Sequence, residues 1–301
     1  MLAESEEEWA KSLDEHKPKY AVIFEDNFNY LSKMCLLRMR EAAFTMIQMA
    51  KEHGCTVILC GADATDHYDQ YLERGADYCL LGEGEETLAE LLDQLSGQRD
   101  AGFSSILGLA YADEGQSSIV KNMRRPDIKE LDSLPFPAWD LVDVQKYKML
   151  WRERHGYFSM NMVTTRGCPY HCNWCAKPIW GQRYNSRSPE NVAAEMKWLK
   201  ENFSPDHIWF ADDIFGLKPN WVERFAELLH ELNAVIPFKC LKRADLVTEK
   251  TALALAKAGC KTVWIGAESG SQKILDAMDK GDKVEDIYRA AHLLHENKIE
   301  V

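Results

Sequence analysis

Between residues 20 and 97, short apolar runs alternate with stripes of helical period. Tyr20-Ala-Val-Ile-Phe24, Thr56-Val-Ile-Leu-Cys60 and Tyr78-Cys-Leu-Leu81 are runs of strand length. Leu36, Met39, Ala43, Met46 and Met49 recur three or four apart, which predicts a helix over Met34–His53. Shorter helices are expected over Tyr68–Leu72 and Glu86–Leu95. Strands alternating with helices imply a parallel sheet with right-handed crossovers, here a Rossmann-like domain over residues 1–100. Residues 1–17 have helical character with no strand before them. The domain is therefore expected to lack its first strand, as a fragment would.

The pattern changes over residues 101–157. Ile106–Tyr111 and Ser118–Lys121, joined across Asp113-Glu-Gly115, predict a hairpin, and LDSLPFPAWDLV is too proline-rich for a regular element. This stretch is expected to be a linker. From 158 the alternation resumes, with strands at Phe158–Thr164, His207–Ala211, Phe238–Lys242 and Thr262–Ala267. Ser188 with Pro189, Thr248, and Asp282 with Glu285 supply helix starts, and Gly259 a stop. Repeated strand–helix units predict a partial (β/α) barrel over residues 158–301. Lys298–Val301 resembles the opening of a further strand, so the barrel is expected to be incomplete at its C-terminal side. The fold class is α/β throughout.

Composition narrows the setting. With 301 residues there is room for two cores. At 46% hydrophobic and 28% charged residues, the chain has the balance of a soluble globular protein. No apolar stretch is long enough for a membrane span, and the acidic N-terminus does not have the order of a signal peptide. A cytoplasmic, reducing location is expected. The nine cysteines are then metal ligands, reactive thiols or core residues rather than disulfides. A net charge of −12 argues against a nucleic-acid surface.

Polar residues gather where the barrel strands end. The four strands run into Arg166-Gly-Cys168, Asp212-Asp213, Arg243 with Asp245, and Glu268-Ser269-Gly270. In parallel barrels that rim carries the chemistry. Cys168, Cys172 and Cys175 crowd one loop there. Their spacing lets one loop wrap three corners of a cubic iron–sulfur cluster and leaves the fourth iron open to a small molecule. A structural zinc ion would want four closed ligands, with His171 the nearest extra donor. The same spacing also admits a redox pair of Cys172 and Cys175, or a purely structural cluster. Cys35, Cys55, Cys60, Cys79, Cys240 and Cys260 lie in or beside apolar runs and read as core thiols.

GCPYHCNWC resembles the Cys-x3-Cys-x2-Cys loop of the radical S-adenosylmethionine superfamily. The likeness continues through RYNSRSPENVAAEM, FADDIF, LKRADLVT and WIGAESGSQKIL. CGADAT and GEGEETLAELL resemble the cobalamin-binding domain that precedes the barrel in the cobalamin-dependent branch. The resemblance implies that Cys168, Cys172 and Cys175 hold a [4Fe-4S] cluster whose open iron is chelated by S-adenosylmethionine. It places Trp174 by the adenine. Asp212 or Asp213 would receive the methionine amine, in place of the family's glycine-glycine-glutamate turn. Arg243 and Glu268, with the adjoining Ser269, would contact the ribose or the methionyl carboxylate. Gly61, Thr65, Gly82, Glu83 and Gly84 would line a cobalamin pocket. There, Cys60 and Asp63 replace the glycine and histidine of the family's GG-x-HAT loop.

The resemblance further implies a small-molecule substrate and a one-electron donor such as flavodoxin or ferredoxin. The expected activity is reductive cleavage to a 5′-deoxyadenosyl radical, most simply for methyl transfer to an unactivated carbon. An oxidative cyclase would use the same parts. A cobalamin or iron–sulfur sensor without catalysis is the competing function from a different class.

Overall fold

The computed structural model describes residues 6–24, 36–113, 118–176 and 179–301. Residues 1–5 of the expected first helix, Met34 and Cys35 at the expected start of the second, and the turn residues Glu114 and Gly115 lie outside them. The chain divides into two compact units, residues 1–128 and 129–301.

The first unit is built on a five-stranded sheet in the order β1 (Tyr20–Phe24), β2 (Thr56–Cys60), β3 (Tyr78–Leu80), β4 (Leu109–Asp113), β5 (Ser118–Lys121). The first three strands are parallel and the last two antiparallel. Successive side chains of β2 go to opposite faces. Val57 and Leu59 pack with Leu13 of α1 (Glu6–His16), Ile47 of α2 (Leu36–Glu52) and Tyr71, beyond the short α3 (Ala62–Asp66), on α4 (Tyr68–Glu73). Ile58 and Cys60 pack with Leu91 of α5 (Glu85–Ser96). A sheet covered on both faces explains why its strands read as continuous apolar runs.

The hairpin read from the sequence as part of a linker instead belongs to this sheet. Leu109 and Ala110 are fully buried, and β4 pairs with β3. The boundary between units therefore falls inside the stretch expected to be linker.

The second unit opens with α6 (Val144–His155) and contains β6 (Ser159–Met162), a two-residue ladder of β7 (Thr165–Arg166) and β8 (Asn185–Ser186), α7 (Pro189–Asn202), β9 (His207–Phe210), α8 (Trp221–Glu231), β10 (Phe238–Lys242), α9 (Glu249–Ala258), β11 (Cys260–Ile265), α10 (Gln272–Ala277) and α11 (Val284–Glu296). Strands β11, β10, β9 and β6 form an all-parallel sheet in that order. After α11 the chain returns to β11, where Glu300 bridges Thr262 in parallel.

One face of this sheet buries Phe210 and Phe238 against Phe215 and Phe225, ring centroids 4.7–6.3 Å apart. The alternate residues His207, Trp209, Lys239 and Trp264 remain on the other face, with the Lys239 ammonium 4.1 and 4.6 Å from the two indole rings.

The helix starts follow the sequence at two places. Ser188 accepts the Asn191 N–H at 3.0 Å and Thr248 the Thr251 N–H at 3.2 Å. Gly259 ends α9 in the left-handed region, φ +96°. The third differs. Lys283, not Asp282, caps α11, because the Asp282 side chain is drawn inward to Arg243.

Candidate active site

The thiol loop leaves the sheet at β7 and returns at β8, Thr165 paired with Ser186 and Arg166 with Asn185. Gly167 begins it at φ +78°, and any Cβ there would collide with the Arg183 carbonyl oxygen, so only glycine lets the two arms close. Cys168 and Cys172 are partly exposed, Cys175 is exposed, and none forms a disulfide. The Cys175 N–H donates to the Cys172 carbonyl at 3.2 Å, turning the chain between the last two thiols. Among the described residues no three His, Cys, Asp or Glu side chains converge into a site for one ion. A structural zinc site is closed by four ligands, whereas this loop supplies three thiols. A cubic iron–sulfur centre takes thiolates at separate corners and needs donors on an accessible loop. The donor set and its exposure fit that larger group.

Asp212, just past β9, anchors the foot of the loop. It is 2% exposed and accepts the Thr164 N–H at 2.7 Å, the Thr165 N–H at 2.9 Å and the Thr164 hydroxyl at 2.6 Å. Burial outweighs these donors and raises its pKa to about 6. The Tyr184 phenol, pushed up mainly by burial, lies within electrostatic reach of both Asp212 and Cys168. Asp213 is exposed, and no hydrogen bond or ion pair engages it among the described residues. Lys242, buried at the end of β10, holds the turn after this pair by donating to the carbonyls of Phe215 at 2.9 Å and Gly216 at 3.3 Å. Burial lowers its pKa.

Arg243 is the hub of the rim. It donates to Asp245 at 3.0 and 3.3 Å, to the Lys280 carbonyl at 2.9 Å and to Asp282. Its guanidinium lies 3.7 Å from the centroid of the Tyr170 ring, between Cys168 and Cys172 in the loop. Burial opposes its charge, yet Asp245 and Asp282 outweigh burial and raise its pKa. Glu268 follows β11 in the left-handed region, φ +58°, with its carboxylate 3.5 Å from the Lys280 ammonium. Ser269 Oγ accepts the Ser271 N–H at 3.1 Å. Trp174 projects from the loop, 55% exposed.

The second unit thus brings Arg243 to the thiol loop and Glu268 to Lys280. It sets Asp212 behind them as an anchor. Tyr170, Asn173, Tyr184 and Lys280 went unread in the sequence. A lysine or asparagine between ordinary neighbours carries no local signal, and their partners are distant along the chain.

In the first unit, the loops after β2 and β3 meet. Thr65 Oγ1 donates to the Gly61 carbonyl at 2.6 Å and accepts the Gly82 N–H at 3.0 Å. Gly61 and Gly82 have φ of +146° and +87°. A Cβ on Gly84 would collide with Cys60 Sγ, so the second loop lies directly on the end of β2. Glu83 turns inward and accepts the Ile128 N–H at 2.5 Å. Asp63 is no open ligand. It is buried, paired with Arg40 through two hydrogen bonds of 2.6 Å, and accepts the Tyr71 hydroxyl at 2.7 Å. Burial works against its charge, but Arg40 and Tyr71 prevail and lower its pKa. The two loops thus cross at the C-terminal ends of parallel strands, with their backbones pressed together.

Residues 162–301, which contain the thiol loop and the whole rim, match the family model of the radical SAM superfamily. The chain belongs to the radical SAM superfamily. Among curated relatives of this radical SAM protein, an uncharacterized methyltransferase of Pyrococcus horikoshii is 33% identical over 206 residues, covering 68% of this chain and 43% of the relative. The anaerobic magnesium-protoporphyrin IX monomethyl ester cyclase of a Synechocystis species is 28% identical over 247 residues, covering 81% and 48%. The chain spans about half the length of these relatives. Among solved structures, the cobalamin-dependent S-adenosylmethionine radical enzyme OxsB, with aqua-cobalamin and S-adenosylmethionine bound, has a TM-score of 0.77. The match is at 22% identity and covers 98% of this chain and 42% of that one. The fold likeness therefore runs through both units. No helix among the described residues is long and apolar enough to cross a membrane.

Proposed function

We propose that this chain is the corrinoid-binding and radical-generating part of a methyltransferase acting on a small molecule. The observation that carries the reading is the joint placement, on one parallel-sheet rim, of three undisulfided thiols on one loop with an open carboxylate and a buried guanidinium. The methyltransferase name of the Pyrococcus relative and the cobalamin bound by OxsB support it.

When bound, a [4Fe-4S] centre with S-adenosylmethionine supplies a one-electron cleavage to a 5′-deoxyadenosyl radical, and cobalamin supplies a transferable methyl group. Cys168, Cys172 and Cys175 would hold the iron. Asp213, exposed and unengaged, is our choice for the methionine amine, whereas Asp212 spends its oxygens on Thr164 and Thr165. Trp174 offers a free indole face for the adenine. Glu268 and Ser269 stand at the rim for the ribose or methionyl carboxylate. Arg243 is consumed internally, so it orients the loop through Tyr170 rather than binding the cofactor. Gly61, Thr65, Gly82, Glu83 and Gly84 shape the corrinoid face in the first unit. The chemistry calls for a low-potential one-electron donor of the flavodoxin or ferredoxin kind, in a reducing cytoplasm.

The test is anaerobic reconstitution of the protein with iron, sulfide and hydroxocobalamin, followed by reduction with S-adenosylmethionine present. Formation of 5′-deoxyadenosine is expected. Cys172→Ala should lose the cluster absorbance and that product together. Unchanged iron content in this variant sinks the ligand assignment, and cluster without cleavage favours a sensor. The cyclase name of the Synechocystis relative favours a second reading, ring formation. Methyl transfer recharged from S-adenosylmethionine leaves S-adenosylhomocysteine, and ring formation does not.

A further inference from the structure

The thiol loop is fastened at a second point, far from its feet. The Asn173 main-chain N–H donates to the Met278 carbonyl at 3.0 Å, and its side-chain amide donates to the Ala277 carbonyl at 2.7 Å. These carbonyls end α10, where a helix leaves acceptors without internal partners. Such ends are usually satisfied by the residues that follow. Here part of the satisfaction comes from a residue 104 positions away, between Cys172 and Cys175. The segment it grips is itself fixed, because Arg243 takes the Lys280 carbonyl and Asp282 while stacking on Tyr170. One guanidinium thus faces the loop on one side and the gripped segment on the other.

We propose that Asn173 is a positioning residue, a latch that holds the Cys172–Cys175 turn against the Ala277–Asp282 segment and so fixes the thiols relative to Arg243 and Glu268. The inference rests on the reading of these thiols as iron ligands, but the latch itself is a property of the metal-free chain. Without it the tip of the excursion loses one of its anchors, and opening then gains the conformational entropy that closing the loop had cost. Closing the latch aligns the loop before any cofactor arrives.

The experiment compares wild type, Asn173→Ala and Asn173→Asp as metal-free, reduced protein. Alkylation of each cysteine by iodoacetamide is followed by mass spectrometry. Asn173→Ala removes one hydrogen bond, and Asn173→Asp sets a carboxylate against the Ala277 carbonyl oxygen. Cys172, partly covered in the closed loop, should label up to about tenfold faster in the alanine variant, the factor a hydrogen bond of ordinary net strength confers, while the already exposed Cys175 changes less. The aspartate variant should exceed it, while buried Cys55 and Cys240 keep their wild-type rates. In reconstituted protein, chelator-driven bleaching should accelerate in the same order.

Wild-type labelling rates in both variants overturn the latch. Equal acceleration at Cys55 and Cys240 in the alanine variant overturns it too, since the effect is then general unfolding. Faster labelling in a protein that takes up no iron leaves the latch standing and removes the ligand reading.

Discussion

At the scale of single residues, the adjacent pair Asp212 and Asp213 shows how far sequence reaches. Both stand at the end of a strand, so their place at the rim was legible. Which one faces inward was not, because a strand end gives no parity once the chain begins to turn. The structure divides the work, with Asp212 holding three donors and Asp213 left open. Asparagine fits the inner position, since its oxygen can accept both N–H groups while its amide donates to the Thr164 hydroxyl. Asp212→Asn should therefore stay within about 1 kcal/mol of wild type below about pH 4, where the carboxyl is protonated, whereas Asp212→Ala strands three buried donors and should cost about 3 kcal/mol or more. The pH dependence separates these further. The Asp212 pKa is raised from 3.8 to about 6. The stability it contributes is thus complete below about pH 4 and is lost as pH rises toward 6. Denaturation in urea should show wild type losing stability relative to Asp212→Asn across that window and holding a constant difference above it. A flat difference from pH 4 to 7 would mean that burial does not govern this carboxyl.

Elements were more legible than their partners. β1, β2 and β3, the long α2 and the caps of α7 and α9 follow from apolar period and capping chemistry. The hairpin of β4 and β5 was visible as a hairpin, but no local pattern says which sheet edge it will join. Asp282 was misread as a helix cap for a similar reason, since its real partner, Arg243, lies 39 residues away. The thiol loop was legible because its chemistry is written in consecutive residues. Its closure depends on Gly167, whose positive φ and missing Cβ let the Arg183 carbonyl approach. Gly167→Ala should therefore cost about 1–3 kcal/mol from backbone strain alone. It should also lower iron content in reconstituted protein, because β7 and β8 can no longer meet around it. Wild-type iron content and melting temperature in this variant would show that the loop closes by another route.

At the scale of the whole molecule, the two units bury separate cores. Ile47, Leu59 and Tyr71 belong to one, and Phe210, Phe225 and Phe238 to the other. Damage confined to the first core should then spare the second. The Arg40–Asp63 pair is the place to test this, with side chains 16% and 5% exposed. Removing the cation leaves a buried carboxylate that has lost its counter-charge, with the Tyr71 hydroxyl at 2.7 Å and His67 at 3.8 Å. Breaking a buried pair in this way costs about 3–5 kcal/mol. That is a large share of the stability of an ordinary domain, about 5–15 kcal/mol. Arg40→Met should therefore lower the melting of the first unit and weaken hydroxocobalamin binding at the corrinoid face proposed for the loop bearing Gly61 and Thr65 beside Asp63. Iron and sulfide per chain should stay at the wild-type value, because every candidate ligand lies in the other unit. Calorimetry, corrinoid titration and iron analysis on one preparation decide it. Equal loss of iron and corrinoid would show that the units fold as one cooperative body, and that the separate cores are not separate in energy.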